Sequence, residues 1–179
     1  VHSFPTRRSS DLVRYRMNAG YLPADHWVFS AGGRIIGEGC HLIDLMKFII
    51  GSEIVSVTCQ AISPSTDYFS AGDNKSFCLK YKDGSIATID YFSVGSSGIP
   101  KEYMEIHFDR KTIILTDYKH LKGYGLNLKE LRTVAPEKGH LEELRVLADC
   151  ISNGEPQWPI PLQDILETSY CAITVDSMN

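Results

Sequence analysis

The 179-residue chain has no C-x-x-C pair, no long apolar run, no basic stretch beyond its first eight residues and no G-x-G-x-x-G after a strand-like segment. Each absence excludes something. Five scattered cysteines (Cys40, Cys59, Cys78, Cys150 and Cys171) are an odd number and give neither a disulfide framework nor a zinc knuckle, so a reducing, cytoplasmic setting is expected. The longest apolar stretches, Leu45-Met46 and Phe48-Ile49-Ile50, are broken by Asp44 and Lys47 and fall short of the ~20 residues that span a bilayer. No membrane partner is expected. With 18 Lys+Arg against 22 Asp+Glu the net charge is −4, and the concentrated basic face that phosphates require is lacking, so no nucleic-acid partner is expected either. The six histidines show no H-x-x-x-H or H-E-x-x-H spacing, which argues against a metal and against a metal-dependent hydrolase.

What is there is a chain 43% apolar and 22% charged, the balance of a folded soluble protein and one long enough to bury a core unaided. The first twelve residues, VHSFPTRRSSDL, stand apart: they carry no helix or strand period and no signal-peptide core. The string resembles a translated sequencing-adapter read-through, which makes residues 1–12 a non-native leader and 13–179 the domain proper; a natural basic tail is the bland alternative.

The run VRYRMN (13–18) predicts a strand that breaks at Ala19-Gly20 into a loop holding His26 and Trp27. RIIGEGCHLIDLMKFIIG follows, with Ile36, Cys40 and Ile43, and Leu42, Leu45, Met46 and Ile49, recurring at threes and fours and Gly51 as the stop; this predicts a buried helix. Strand-rich runs come next at 54–62, 76–81, 85–92, 103–108 and 112–117. Lys82-Asp83-Gly84 and Asp109-Arg110-Lys111 act as turns between them. Short connections force antiparallel pairing, so the centre reads as a meander. Helices return at 140–153, with Leu141, Leu144, Leu147, Ala148 and Ile151 on one face, and at 161–178, joined by the stiff connector EPQWPIP (155–161). The expected fold is α+β: an open, predominantly antiparallel β-sheet covered on one side by helices.

On a helix Gly37, Cys40, His41 and Asp44 fall on one stripe. Glycine inside a helix costs about 1 kcal/mol relative to alanine, so Gly37 and Gly39 suggest a close approach to the backbone. The plainer reading is helix-on-sheet packing with His41 satisfied by Asp44. Arg16 and Asn18, two apart on the first strand, share a sheet face, and an asparagine can both donate to and accept from hydroxyls. His140, opening a helix, has a capping role or reaches a hydroxyl or anion. His26 and Trp27 line the same mouth or cover the core. His107 reads as a sheet-face residue and His120 as a loop residue, and Tyr81, Tyr91 and Phe92 as a flat apolar face. Gly123-x-Gly125 lacks the third glycine of a dinucleotide loop.

GGRIIGEGCHLID resembles the G-G-G-x-x-x-D-x-G-x-H-x-x-D segment of the Gfo/Idh/MocA oxidoreductases. YRMNAGYLPADHW and KGHLEELRVLADCISNGEPQWPIPLQDILET are similar to other parts of that family's C-terminal domain, so the resemblance runs from Val13 to the end. It implies a substrate-binding and oligomerisation domain without the N-terminal dinucleotide-binding domain and its E-K-P lysine. It also implies hydride transfer from a sugar, cyclitol or nucleotide-sugar hydroxyl to NAD or NADP bound mainly outside this chain. His41 becomes the catalytic residue that handles the hydroxyl proton, a step suited to an imidazole of ordinary pKa near ~6.5. Arg16, Asn18 and His140 become substrate contacts, and the open sheet an oligomer interface. Where relatives carry Asp four residues before the histidine this chain has Gly37. Glu38, one step off, reads as a packing or interdomain residue and Asp44 as orienting the His41 ring. The chain alone is expected to be inactive. The competing reading is a non-catalytic binding or dimerisation module in which His41 is structural.

Overall fold

The computed structural model of the protein describes residues 10–154 and 159–178, so most of the leader and residues 155–158 of the connector lie outside the described residues. Strand β1 (Leu12–Asn18) alternates as its sequence dictates: Val13, Tyr15 and Met17 are buried and Arg14 and Arg16 face the other way. The strand takes in Leu12, and Asp11 N–H already bonds Ser85 Oγ, so paired structure begins just before the boundary read from the sequence. After a loop with a single helical turn, α1 (Trp27–Ser30), come a π turn (Ile35–Gly39) and α2 (Cys40–Ile50). Then follow β2 (Ile54–Ala61), β3 (Lys75–Tyr81), β4 (Ile86–Phe92), β5 (Glu102–Phe108), β6 (Lys111–Thr116), β7 (His120–Tyr124) and β8 (Leu131–Arg132), and finally α3 (His140–Asn153) and α4 (Leu162–Ser177).

The sheet has the order β2-β3-β4-β1-β5-β6-β7-β8. Every pair is antiparallel except β1 with β4, so the predicted open, mostly antiparallel sheet is present but its first strand is inserted at the middle. Two strands extend it where the sequence suggested loop. His120 and Gly123 lie in β7, a polar HLKGY segment with no alternation of its own that pairing with β6 holds in place. The turns follow their residues. Gly84 supplies the positive φ between β3 and β4, and Asp109 and Arg110 both take positive φ in the two-residue connection from Phe108 to Lys111.

Helix α2 buries Leu42, Ile43, Met46, Ile49 and Ile50, each contributing roughly 1.5–3 kcal/mol, and stops at Gly51, whose φ of +68° lets its N–H bond Lys47 O. It begins later than its period suggests, because residues 35–39 wind as a π turn. A Cβ at Gly37 or Gly39 would meet its nearest neighbour at 3.8 or 3.5 Å, ordinary contact, so nothing among the described residues presses on the backbone there. Helix α4 packs on α2, on the π turn and on β2. Its C-terminal end is held by the buried Lys75, whose Nζ donates to the carbonyls of Val175 (3.0 Å), Asp176 (2.7 Å) and Met178 (2.6 Å). Tyr81 and Tyr91 turn out to face this helix layer, 1% and 0% exposed, and only Phe92 lies toward the open face. Helix α3 forms with the predicted apolar face, yet buries none of it.

Candidate functional site

Because β1, β2 and β4 run in one direction and β3 and β5 in the other, loops 19–34, 62–74 and 93–101 meet at one end of the sheet. The start of α2 is tied to that end by Glu38. Within the π turn its carboxylate is directed at the sheet, where it accepts from Tyr91 OH (2.6 Å), Lys101 Nζ (3.0 Å) and Arg34 Nη2 (3.3 Å). Arg34, itself buried, also donates to the carbonyls of Ala19 (2.9 Å) and Gly20 (2.6 Å), so one guanidinium fastens the loop leaving β1 to the helix. Burial alone would raise the Glu38 pKa. The hydrogen bonds from Tyr91 and Lys101 and the charges of Lys101 and Arg34 outweigh it and hold the carboxyl below its usual range.

His41 stands on the first turn of α2, exposed, and its ring makes no hydrogen bond among the described residues. Asp44 does not bond that ring; it accepts from Thr168 Oγ1 of α4 at 3.4 Å, and burial pushes its pKa up against the opposing effects of Thr168 and His41. Asn18 closes β1. Its backbone N–H bonds Lys101 O (2.8 Å) and its Nδ2 donates to Ser96 O (2.8 Å), while its Oδ1 is buried without a partner. Gly95 lies against it so closely that a Cβ there would come within 2.5 Å of Asn18 Oδ1, which explains the glycine. Arg16 is near the same end but on the face away from the helices, bonded to Pro100 O (3.3 Å) and lying over the Tyr103 ring; the sheet separates it from His41.

His140 opens α3, exposed, after Gly139, and caps nothing with its side chain. Two residues earlier Lys138 Nζ bonds Glu102 Oε1 (3.0 Å), and Glu102 pairs with Met17 beside Asn18. The start of α3 is therefore brought to the same end of the sheet. His26 accepts from Val28 N–H and caps α1; Trp27 beside it is exposed. His107 lies on a sheet face and meets Thr112, and His120 pairs with Glu130 at 2.7 Å.

A cavity of about 400 Å³ opens at this end, walled by Asn18, Tyr21, Tyr68, Phe69, Ser97 and Lys101 among others. A larger recess of about 640 Å³ lies at the other end of the sheet, between Asp11 and the 109–111 turn; His107 lines it, but none of the expected catalytic or substrate-contact residues does. Arg34, Lys101 and the aromatic wall escaped sequence reasoning. The visible signal was loop SVGSSGIPK (93–101), whose serines and glycines end on a lysine. Among the described residues no group of three His, Cys, Asp or Glu could hold a metal, and no helix is long and apolar enough to cross a membrane.

The model of the GFO/IDH/MocA C-terminal domain matches residues 10–114, more than half of the chain. No curated protein sequence matches. Among solved structures the chain is similar to UDP-N-acetylglucosamine 3-dehydrogenase GnnA from Acidithiobacillus ferrooxidans, at 17% identity and a TM-score of 0.69, covering 92% of this chain and 52% of that one. It is similar to a probable dehydrogenase from Thermotoga maritima, at 19% and 0.65, with 92% and 51% covered. It is also similar to the WlbA dehydrogenase from Bordetella pertussis in complex with NADH and UDP-GlcNAcA, at 12% and 0.58, with 92% and 50% covered. The chain thus spans about half the length of these relatives.

Proposed function

The chain belongs to the GFO/IDH/MocA C-terminal-domain family, and from that premise we propose that it is the substrate-binding and assembly half of an NAD(P)-dependent oxidoreductase. The reaction is hydride transfer from a hydroxyl-bearing carbon of a sugar, cyclitol or nucleotide sugar. The observation that carries this reading is the exposed His41 on the first turn of α2, a turn that Glu38 ties to the sheet end carrying the cavity, although His41 itself does not line that cavity. His41 takes the substrate's hydroxyl proton, and its exposure leaves a face open to substrate on one side and to a second domain on the other. Asn18 and His140, brought to the same end, contact substrate, and Arg16, which shares the open sheet face with Asn18 and bonds Pro100 O of the 93–101 loop, is the third proposed contact.

The described residues include no glycine-rich turn between a strand and a helix of the kind that cradles a dinucleotide, so the described residues do not fit NAD(P). The reading puts the cofactor on polypeptide corresponding to the other half of the relatives and leaves the isolated chain inactive. Exposed apolar side chains on the outer helix surface, among them Phe48, Leu166 and Tyr170, support docking of such a half. The Bordetella relative, a dehydrogenase in complex with NADH and UDP-GlcNAcA, supports a nicotinamide cofactor for the complete protein. Assembly through the open sheet in the cytoplasm completes the proposal.

The test is to restore the reading frame upstream of Val13 and follow nicotinamide reduction across sugars, cyclitols and nucleotide sugars. His41→Ala is expected to lower kcat by about 10²–10⁴-fold with the assembly intact. Unchanged turnover overturns the catalytic role and returns His41 to a structural one. An upstream sequence with no strand-GxGxxG-helix unit removes the enzyme.

A further inference from the structure

A second recess, of about 80 Å³, shares Tyr21, Tyr68, Phe69 and Ser93 with the 400 Å³ cavity. At roughly 30 Å³ for each water of the liquid, it has room for a short polar group and little more. Tyr21 and Tyr68 stack with centroids 4.3 Å apart and planes 3° from parallel, and Phe69 stands edge-on to both at 6.0 and 4.8 Å. The stack is open, with Tyr68 58% and Tyr21 42% exposed, and the faces of such rings are electron-rich.

Asp73 lines the same recess from the end of a short turn, Ala71–Asp73. Its neighbour Asn74 fixes that turn against the 93–101 loop. Asn74 Nδ2 donates to Ser70 O (2.8 Å) and Ser93 Oγ (2.9 Å), and its Oδ1 accepts from the N–H groups of Ser93 (2.8 Å) and Val94 (3.1 Å). Asp73 is held there 5% exposed, yet among the described residues no hydrogen bond and no ion pair reaches its carboxylate. Arg34 acts on it through its charge alone, because the guanidinium directs its hydrogen bonds at Ala19 O, Gly20 O and Glu38. Lys101 is likewise paired with Glu38. A carboxylate buried without a donor is costly, and burial pushes the Asp73 pKa up against the effect of Arg34. The exposed Asp67 lines the recess as well. Around the aromatic wall Glu38, Asp67 and Asp73 thus face only Arg34 and Lys101, so the excess charge is negative.

An electron-rich wall beside a buried acceptor that lacks a donor has the two parts an organic cation needs. The rings attract the charge, and the carboxylate accepts the N–H groups. We infer that the recess between Asp73 and the Tyr21–Tyr68–Phe69 wall is a binding site for a primary ammonium group. The ammonium donates to Asp73, Asp67 adds charge at the mouth, and the carbon stem lies against the rings. The site goes beyond the hydride-transfer reading and does not depend on it.

The chain as it stands is titrated at neutral pH and constant ionic strength with ethylammonium and with ethanol, its uncharged counterpart. Glucosamine against glucose tests an amine carried on a larger ligand that also occupies the cavity. Binding is read by saturation-transfer NMR and tyrosine fluorescence. Each amine is expected to bind saturably and better than its uncharged counterpart, and whichever binds more tightly tells a free amine from a carried one. Asp73→Asn is expected to weaken the amines by about tenfold or more. It also removes a buried charge that has no donor, so its melting temperature is expected to equal or exceed the parent's, an outcome that a carboxylate serving the fold would not give. Tyr68→Ala, at an exposed side chain, is expected to weaken the amines about two- to fivefold, and it decides the matter where Asp73→Asn fails to fold. No saturable binding of either amine, equal binding of the uncharged counterparts, or affinities indifferent to Asp73→Asn or to Tyr68→Ala overturns the site. Turnover of His41→Ala does not enter these measurements, so the site and the catalytic reading fail separately.

Discussion

Glu38 shows how a single side chain carries structural weight that spacing misjudges. Its carboxyl is held below the ordinary range because the bonds and charges of Tyr91, Lys101 and Arg34 outweigh burial, which acts the other way. A carboxyl with a depressed folded pKa contributes stability fully above its unfolded value of about 4.3 and loses it as pH falls through the lower folded value. Glu38→Gln is therefore expected to flatten the acid limb of the stability profile. Melting temperatures measured from neutral pH down to about pH 3 should fall more steeply for the parent than for the variant below about pH 4; parallel curves would contradict the assignment. The motif singled out His41 and Glu38; Glu38, expected as a packing or interdomain residue, bonds Tyr91, Lys101 and Arg34. Their partners were not legible. Lys101 lies 63 positions from Glu38, and only the folded sheet brings the two together.

At the level of elements, α2 and the central strands follow their periods, and Gly51 and Gly84 end and turn the chain where expected. The π turn was hidden, since widening a helix by one residue per bond leaves composition and spacing almost unchanged. β7 and β8 were hidden because their pairing is imposed by a neighbour instead of by alternation. Lys75 was hidden because a lysine in a strand normally points to water. Here its ammonium meets three carbonyls at the end of α4, where the helix dipole is negative. Lys75→Met leaves those carbonyls without their donor and is expected to cost about 2–4 kcal/mol, read as a lower denaturant midpoint at unchanged slope. A loss below about 0.5 kcal/mol would show that the lysine is not what holds the helix end.

In the whole molecule the helix layer covers only part of the sheet. β6, β7 and β8 bury no residue fully, and α3 turns Leu141 and Leu144 to solvent. Predicting the fold class needed only the order of elements, whereas predicting which faces stay open needed the packing. The outer face carries Arg14, Thr88 and Glu105 in one row across three strands. If copies join there, light scattering should give about twice the 20.0 kDa chain mass. Thr88→Arg, which sets a second cation beside Arg14, should return it to a monomer with unchanged circular dichroism. A parent already monomeric at high concentration would remove this surface from the assembly.

The insertion of β1 between β4 and β5 makes it a keystone. Strands β2 to β4 form one wing and β5 to β8 the other, and in the order of the sheet the two wings touch only through Leu12–Asn18. During synthesis that strand emerges well before either flank, and its second edge finds its first partner at Glu102 and is fully paired only once the chain has grown past residue 107, to which Leu12 pairs. The middle of the sheet is therefore among the last parts of it to close.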